Sequence, residues 1–294
     1  MTEQLPISEP PKVAGTAFRL WDSFRADRAA LVSLIFIALV IVLAVAAPLI
    51  SPHDPYAAIN TLRNAPPGTG PYVLGADSEG RDVLARLIWG GRISLLVGIL
   101  PPLIAMLVSL VLGTVTGFFG GWVDHIVMRV LDVLFAFPLV LLAIAIAGSL
   151  QPGLLTEILA IMIVLVPYIS RLVRTATITV KEQPFIEAAR ACGATEAGIL
   201  LRYVLPNILS PVIAYTTTLI GLMIVVGSGL SFLGLGVQPP AADWGTMVSD
   251  GRVALSTAPH ITIFPGIAIA LVSLAFNFLG DGLTALLDPR LRRL

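Results

Sequence analysis

Charged positions along this chain thin out into long apolar runs, and those runs define its elements. A helix rises about 1.5 Å per residue, so roughly 20 apolar residues cross about 30 Å of hydrocarbon. Six stretches qualify: Ala29–Ile50, bracketed by Arg28 and His53; Ile93 to about Gly117, interrupted by Pro101-Pro102; Val133–Leu150, closing on the turn Gln151-Pro152-Gly153; Leu154 to about Arg174; Ile208 to about Leu230; and Ile261–Leu279. The fourth is the weakest, because only Ile158 to Ser170 is free of charge. Under this division none of the 18 acidic or 18 basic residues needs to sit at a helix centre, where each would cost roughly 3 kcal/mol.

The polar stretches between the runs set orientation. With the N-terminus inside, cytoplasmic segments hold thirteen Lys and Arg residues and external ones five, Arg63, Arg81, Arg86, Arg92 and Arg252. Basic residues favour the cytoplasmic side, so both termini are expected inside. The first external segment, about 51–92, is dense in turn formers such as Pro66-Pro67-Gly68 and Gly75-Ala76-Asp77. It ends in Arg81-Asp82-Val83-Leu84-Ala85-Arg86-Leu87-Ile88-Trp89, whose apolar positions share a helical face, with Asp82 four residues before Arg86. That pattern predicts a short helix lying in the interface, braced by an Asp82–Arg86 pair. A second external segment spans about 231–260, and a cytoplasmic loop about 175–207. Residues 1–28 form a polar cytoplasmic segment ahead of one membrane domain, 29–294.

Composition agrees. The chain of 294 residues is 56% hydrophobic and 12% charged, against roughly 25% charged in a soluble domain, so lipid serves as solvent for much of its surface. Net charge is zero and only Lys12 and Lys181 are lysines, which gives no footprint for nucleic acid. The single Cys192 excludes internal disulfides and cysteine metal cages. His53, His125 and His260 read as solvated or interfacial loop residues.

Candidate chemistry is sparse. There is no phosphate-cradling G-x-x-x-x-G-K-[ST] loop, and no intramembrane acid or cation of the kind that relays protons. Glu157 comes nearest and reads as a capping or dipole-stabilising residue at a helix start. Gly227-Ser228-Gly229 and Gly113-x-x-x-Gly117-x-x-x-Gly121 read as helix-packing faces. Asn277 reads as a helix-to-helix hydrogen bond. Thr216 to Thr218, Ser228 and Ser273 supply scattered hydroxyls for a charge-poor pathway. A pathway without its own motor requires another protein as motor.

The most informative stretch is Glu187-Ala188-Ala189-Arg190-Ala191-Cys192-Gly193, followed after nine residues by Tyr203-Val204-Leu205-Pro206. Alanines favour a thin helix, Gly193 suits the left-handed stop, and Thr195-Glu196 suits the start of a second helix running up to Pro206. This spacing resembles the signature loop of binding-protein-dependent ABC importer permeases, with Tyr203 where isoleucine is usual. Leu74-Gly75-Ala76-Asp77 with Gly80-Arg81-Asp82-Val83, Leu230 to Gly236 with Gln238-Pro239-Pro240 and Trp244-Gly245, and Asn277 to Gly282 with Leu287-Asp288-Pro289-Arg290 are similar to the dipeptide, oligopeptide and nickel branch.

The resemblance implies an all-α, type I importer permease of about six spans. It would be the second of two homologous permease subunits, resting on two cytoplasmic ATPase subunits and served by an external substrate-binding protein. Glu187, Ala188, Ala189, Arg190 and Gly193, with Leu205 and Pro206, would form the ATPase-coupling loop. Asp77, Arg81, Asp82 and Trp244 would belong to an external loop or gate. The chain itself would hold no cofactor or metal and be no enzyme, since ATP and Mg²⁺ bind the partner ATPases. The cargo would be peptides, or else glutathione, opines or nickel chelates; a gradient-driven carrier is the distant alternative.

Overall fold

The computed structural model describes residues 27–287. The polar segment through Lys12 and the Asp288-Pro289-Arg290 motif lie outside the described residues. Among those residues the backbone is helical without a strand, apart from three isolated antiparallel bridges in the first external segment. Lipid offers no partner for backbone N–H and C=O groups, so each apolar run closes its hydrogen bonds within a helix.

Helix α1 (Arg28–Val45) opens on Asp27, whose carboxylate accepts from the Ala29 and Ala30 N–H groups. Next come α2 (Val83–Phe119), α3 (Gly121–Phe135), α4 (Leu139–Ser149) and α5 (Leu154–Lys181). A short α6 (Pro184–Ala191) leads to α7 (Glu196–Ile199), which passes through a π-helical stretch, Leu200–Val204, into α8 (Leu205–Phe232). A short α9 (Trp244–Gly251) precedes α10 (His260–Leu287). Five of these helical stretches are long and apolar enough to cross a membrane, and α3 with α4, bent by 89°, brings the number to six where the pair counts as one span.

Three expectations about the spans need correction. No separate interfacial helix precedes the second span: α2 begins at Val83, capped by Asp82, and runs unbroken through Trp89. Its first turns are buried beneath the external segment, with Val83 and Ala85 fully covered. Pro101 and Pro102 do not interrupt α2 either. Each proline removes one helical hydrogen bond, but breaking the helix in lipid would strand several more. The third span is not one helix from Val133, because the chain turns at Ala136–Pro138 between α3 and α4. Pro138 disfavours helical geometry at the residue before it.

Lipid tails provide little hydrophobic drive between helices, so association depends on close approach at small residues. The most extensive pairing is α2 with α5. A Cβ on Gly113 would lie 2.7 Å from the Ser170 carbonyl oxygen, and one on Gly117 would lie 2.8 Å from that of Arg174. Two members of the Gly113–Gly117–Gly121 row therefore make the expected packing face. Gly121 instead sits at φ +61° in the turn into α3, with open space around it. Gly227 packs as expected, against Val97 and close to Glu157. One apolar core lies among α2, α5 and α8 and a second among α1, α2, α8, α9 and α10.

Candidate coupling loop and external cluster

The loop between α5 and α8 is built on two stop-and-start signals. In α6, Ile186 is fully buried in the core among α5 and α8, while Glu187, Ala188 and Arg190 face outward. Ala189 is half-buried. The helix ends at Cys192, with Gly193 at φ +85°. The Ala194 N–H donates to the Ala189 carbonyl at 3.1 Å and the Gly193 N–H to that of Arg190 at 3.0 Å. These two bonds make a Schellman stop, which requires the left-handed conformation that glycine adopts without penalty.

Thr195 then caps α7, accepting from the Gly198 N–H. Arg190 reaches back to Glu196 through Nε to Oε1 at 2.8 Å and Nη2 to Oε2 at 3.2 Å. That fork binds the two short helices together and raises the Arg190 guanidinium above its ordinary value. The second helix does not stop at Pro206. Leu205 and Pro206 occupy the first turn of α8, where proline needs no donor, and the helical path continues into the fifth span.

On the other side of the molecule, the predicted external residues fall into two clusters. In the first, Arg81 Nε donates to Asp77 Oδ2 at 2.6 Å, and Arg81 also meets Glu79 at 2.8 Å and Asp250 at 3.5 Å. Arg86 does not pair with Asp82. It lies 3.4 Å from Asp77 and 3.8 Å from Asp250, and is 2% exposed. Burial pushes the Asp250 carboxyl up while Arg86 and Arg81 pull it down. Asp82 is occupied elsewhere, capping Leu84 and facing His53 Nδ1 at 2.7 Å. His53 is therefore paired rather than simply solvated, and His260 is buried beside the Ala76 carbonyl. His125 is exposed, as expected, but on helix α3 and not in a loop, with Nδ1 close to the Gly121 carbonyl.

The motif glycines explain how this segment folds. Gly75 and Gly80 have φ of +81° and +84°, and a Cβ on either would strike backbone carbonyls of Ala65 or Ile59.

Trp244 belongs to the second cluster and is buried, with its indole N–H donating to the Leu87 carbonyl at 2.9 Å. Ser94 Oγ donates to Asp243 Oδ1 at 2.5 Å and accepts from the Trp244 N–H at 3.0 Å. Gly90 and Gly91 let α9 come this close, lying against the Asp243 backbone and the Trp244 ring. Burial pushes the Asp243 carboxyl up, opposed by hydrogen bonds from Ser94 and Thr246.

Glu157 is a residue whose surroundings the sequence concealed. It stands in the first turn of α5, as expected, but it is fully buried, accepts from Ser231 Oγ at 3.2 Å, and lies beside Gly227 and Gly236. The scattered hydroxyls find partners within the helices. Thr216 and Thr217 donate to carbonyls of their own helix, and Ser273 Oγ donates across to the Gly221 carbonyl at 2.7 Å. That last bond is the helix-to-helix link expected of Asn277, whose amide instead donates to Ser273 one turn back.

This arrangement of spans and loop can be set against known proteins. The family described as "Binding-protein-dependent transport system inner membrane component" matches residues 109–293, and "N-terminal TM domain of oligopeptide transport permease C" matches residues 18–67. The chain belongs to the binding-protein-dependent permease family. Similar proteins include glutathione transport system permease protein GsiD of Escherichia coli O157:H7 and of Shigella sonnei (strain Ss046), each 41% identical over 98% of this chain and 95% of the relative. GsiD of Pectobacterium atrosepticum is 40% identical over 99% of this chain and 97% of the relative. This permease is thus a multi-pass inner-membrane subunit of an ABC importer in the dipeptide and oligopeptide branch. Family membership implies ATPase and binding-protein partners.

Proposed function

We propose that this permease forms half of a translocation pathway for small peptides or glutathione, paired with a second homologous permease, two cytoplasmic ATPases and an external binding protein. The observation that carries the reading is α6: a thin, outward-facing helix anchored by Ile186, stopped by Gly193 and braced to α7 by Arg190 and Glu196. Such an element suits docking in a groove of an ATPase that itself holds ATP and Mg²⁺. Because α6 joins α5 to α8 through short connections, displacement of α6 moves both spans as rigid bodies. The buried external clusters suit a different role. Asp77, Arg81, Asp82 and Trp244 stiffen the outer ends of α2 and α9, so that the external face moves as a unit when the spans rock. The names of the relatives favour glutathione, and the branch favours peptides; opines and nickel chelates remain cargoes of the same delivery mode.

The test is co-expression of the chain with its neighbouring importer genes and reconstitution in liposomes. ATP-dependent, binding-protein-dependent uptake of a labelled dipeptide or glutathione is expected. Uptake driven by an ion gradient without ATP would overturn the reading.

A further inference from the structure

Two arginine–aspartate pairs join α3 to α5, and they differ in kind. Arg174 grips Asp124 as a fork, Nε to Oδ1 and Nη2 to Oδ2, both at 2.6 Å, with the Asp124 side chain 14% exposed. Both carboxylate oxygens are used, which makes this a structural clasp. Arg171 holds Asp132 by one bond only, Nη2 to Oδ1 at 2.6 Å, and the two side chains are 38% and 45% exposed. Among the described residues, Asp132 Oδ2 and the Nε and Nη1 groups of Arg171 have no partner.

The open pair lies toward the inner end of α5. Arg171 lies ten residues before Lys181, the last residue of α5, or about 15 Å along the helix. Arg171 is one of the thirteen basic residues that the charge bias assigns to the cytoplasmic side, so the pair stands at the inner mouth of the spans. A cavity of about 470 Å³ occurs elsewhere, beside His53 and Trp89. Here a cavity of about 380 Å³ opens on this pair, lined by Met128, Asp132, Arg171, Arg174 and Thr175. That is within the range of small-ligand sites. Arg171 is held from one side by an aromatic pair: its guanidinium stacks 3.6 Å from the Phe135 ring centroid, and Phe135 packs on Tyr168 at 4.7 Å. A planar guanidinium held on an aromatic face, with donors to spare, matches a carboxylate. The adjacent free carboxylate oxygen matches an ammonium group.

We propose that Asp132 and Arg171, with Phe135 against the guanidinium, form a weak binding site for the charged ends of zwitterionic peptides at the cytoplasmic mouth of the translocation pathway. The proposal rests on the peptide-importer reading above and names the pathway residues within it. A solute entering the cavity exchanges the single Arg171–Asp132 bond for two bonds of the same type, so the site holds cargo loosely and lets it leave. The Arg174–Asp124 clasp keeps α3 and α5 together while the outer pair opens.

Thr175 is exposed and lines the same cavity, so a thiol introduced by Thr175→Cys reports on occupancy. The nucleotide-free transporter complex in lipid nanodiscs is treated with a hydrophilic thiol reagent, and labelling of this position is resolved from that of Cys192 by peptide mapping. Millimolar Ala-Ala is expected to slow labelling several-fold, and N-acetyl-Ala-Ala-amide, which lacks both charges, to leave it unchanged. Adding Arg171→Gln is expected to abolish protection while the unprotected labelling rate stays the same. Equal protection by both peptides, no protection by either, or a thiol that the reagent never reaches would overturn the proposal. Peptide uptake by the unsubstituted complex is measured in parallel. Uptake without protection refutes this pair alone, whereas a complex that takes up no peptide refutes the importer reading beneath it.

Discussion

At the scale of single residues, Gly193 gives the cleanest test because space and backbone strain separate there. A Cβ on Gly193 would meet nothing within 4 Å, yet φ is +85°. Any cost of a side chain is therefore conformational, about 1–2 kcal/mol for a residue forced into left-handed geometry. Gly193→Val is expected to misdirect α6 while membrane insertion stays normal, lowering ATPase co-purification and substrate-stimulated ATP hydrolysis; Gly193→Ala has a smaller effect. Unchanged transport with ATPases bound would remove α6 from the coupling role. Gly198 is a poor control, since a Cβ there would crowd the Thr195 hydroxyl that caps α7, and Gly229, which has open space and lies at no positive φ, serves better. Asp77 tests burial instead of strain. Asp77→Ala leaves Arg81 and Arg86 buried with a weakened set of partners, and removing one member of a buried ion pair costs about 3–5 kcal/mol. A lower melting temperature of the solubilised chain is expected, with Asp77→Asn intermediate. The difference between these two sites also explains what could be read in advance. The stop at Gly193 and the cap at Thr195 rest on neighbours within six residues, so local spacing reveals them. Glu157 finds Ser231 across 74 residues and Ser94 finds Asp243 across 149, and no local pattern encodes such partners.

At the scale of elements, apolar run length located the five long apolar helices, because lipid forces any such run to be helical. It misjudged where helices begin and bend. The start of α2 at Val83 depends on the external segment folding over it, and its passage through Pro101-Pro102 depends on the cost of unpaired backbone in lipid. The elbow between α3 and α4 falls inside a run that hydropathy alone reads as continuous. The glycine row, in contrast, was legible for Gly113 and Gly117, where four-residue spacing keeps both on one face. Substitution measures how much that face matters. Gly113→Val would drive methyl groups into the Ser170 carbonyl and the Val173 side chain, and overpacking of this kind costs about 1–3 kcal/mol. Lower yield of folded protein and a lower melting temperature are expected, and Gly113→Ala should show a smaller loss. Equal stability of Gly113→Val and the unsubstituted chain would mean that α2 and α5 are not held this closely in the membrane.

At the scale of the whole molecule, the proposed motor is another protein, and orientation decides whether it can meet this chain. The coupling reading requires α6 on the cytoplasmic side, which is where thirteen basic residues against five place it. Cys192 makes this measurable because it is the single cysteine of the chain, is exposed, and caps α6 itself. In intact spheroplasts a membrane-impermeant thiol reagent is expected to leave Cys192 unlabelled, since every route to it crosses the bilayer. Permeabilisation should then allow labelling, and more completely when the chain is expressed without ATPases than with them, because a docked ATPase would cover α6. The second comparison separates two outcomes. Labelling only after permeabilisation, with no protection by the ATPases, would keep the topology and remove α6 as the docking element. Efficient labelling from outside would invert the molecule, placing Glu187 to Gly193 where no ATP-driven motor can reach it.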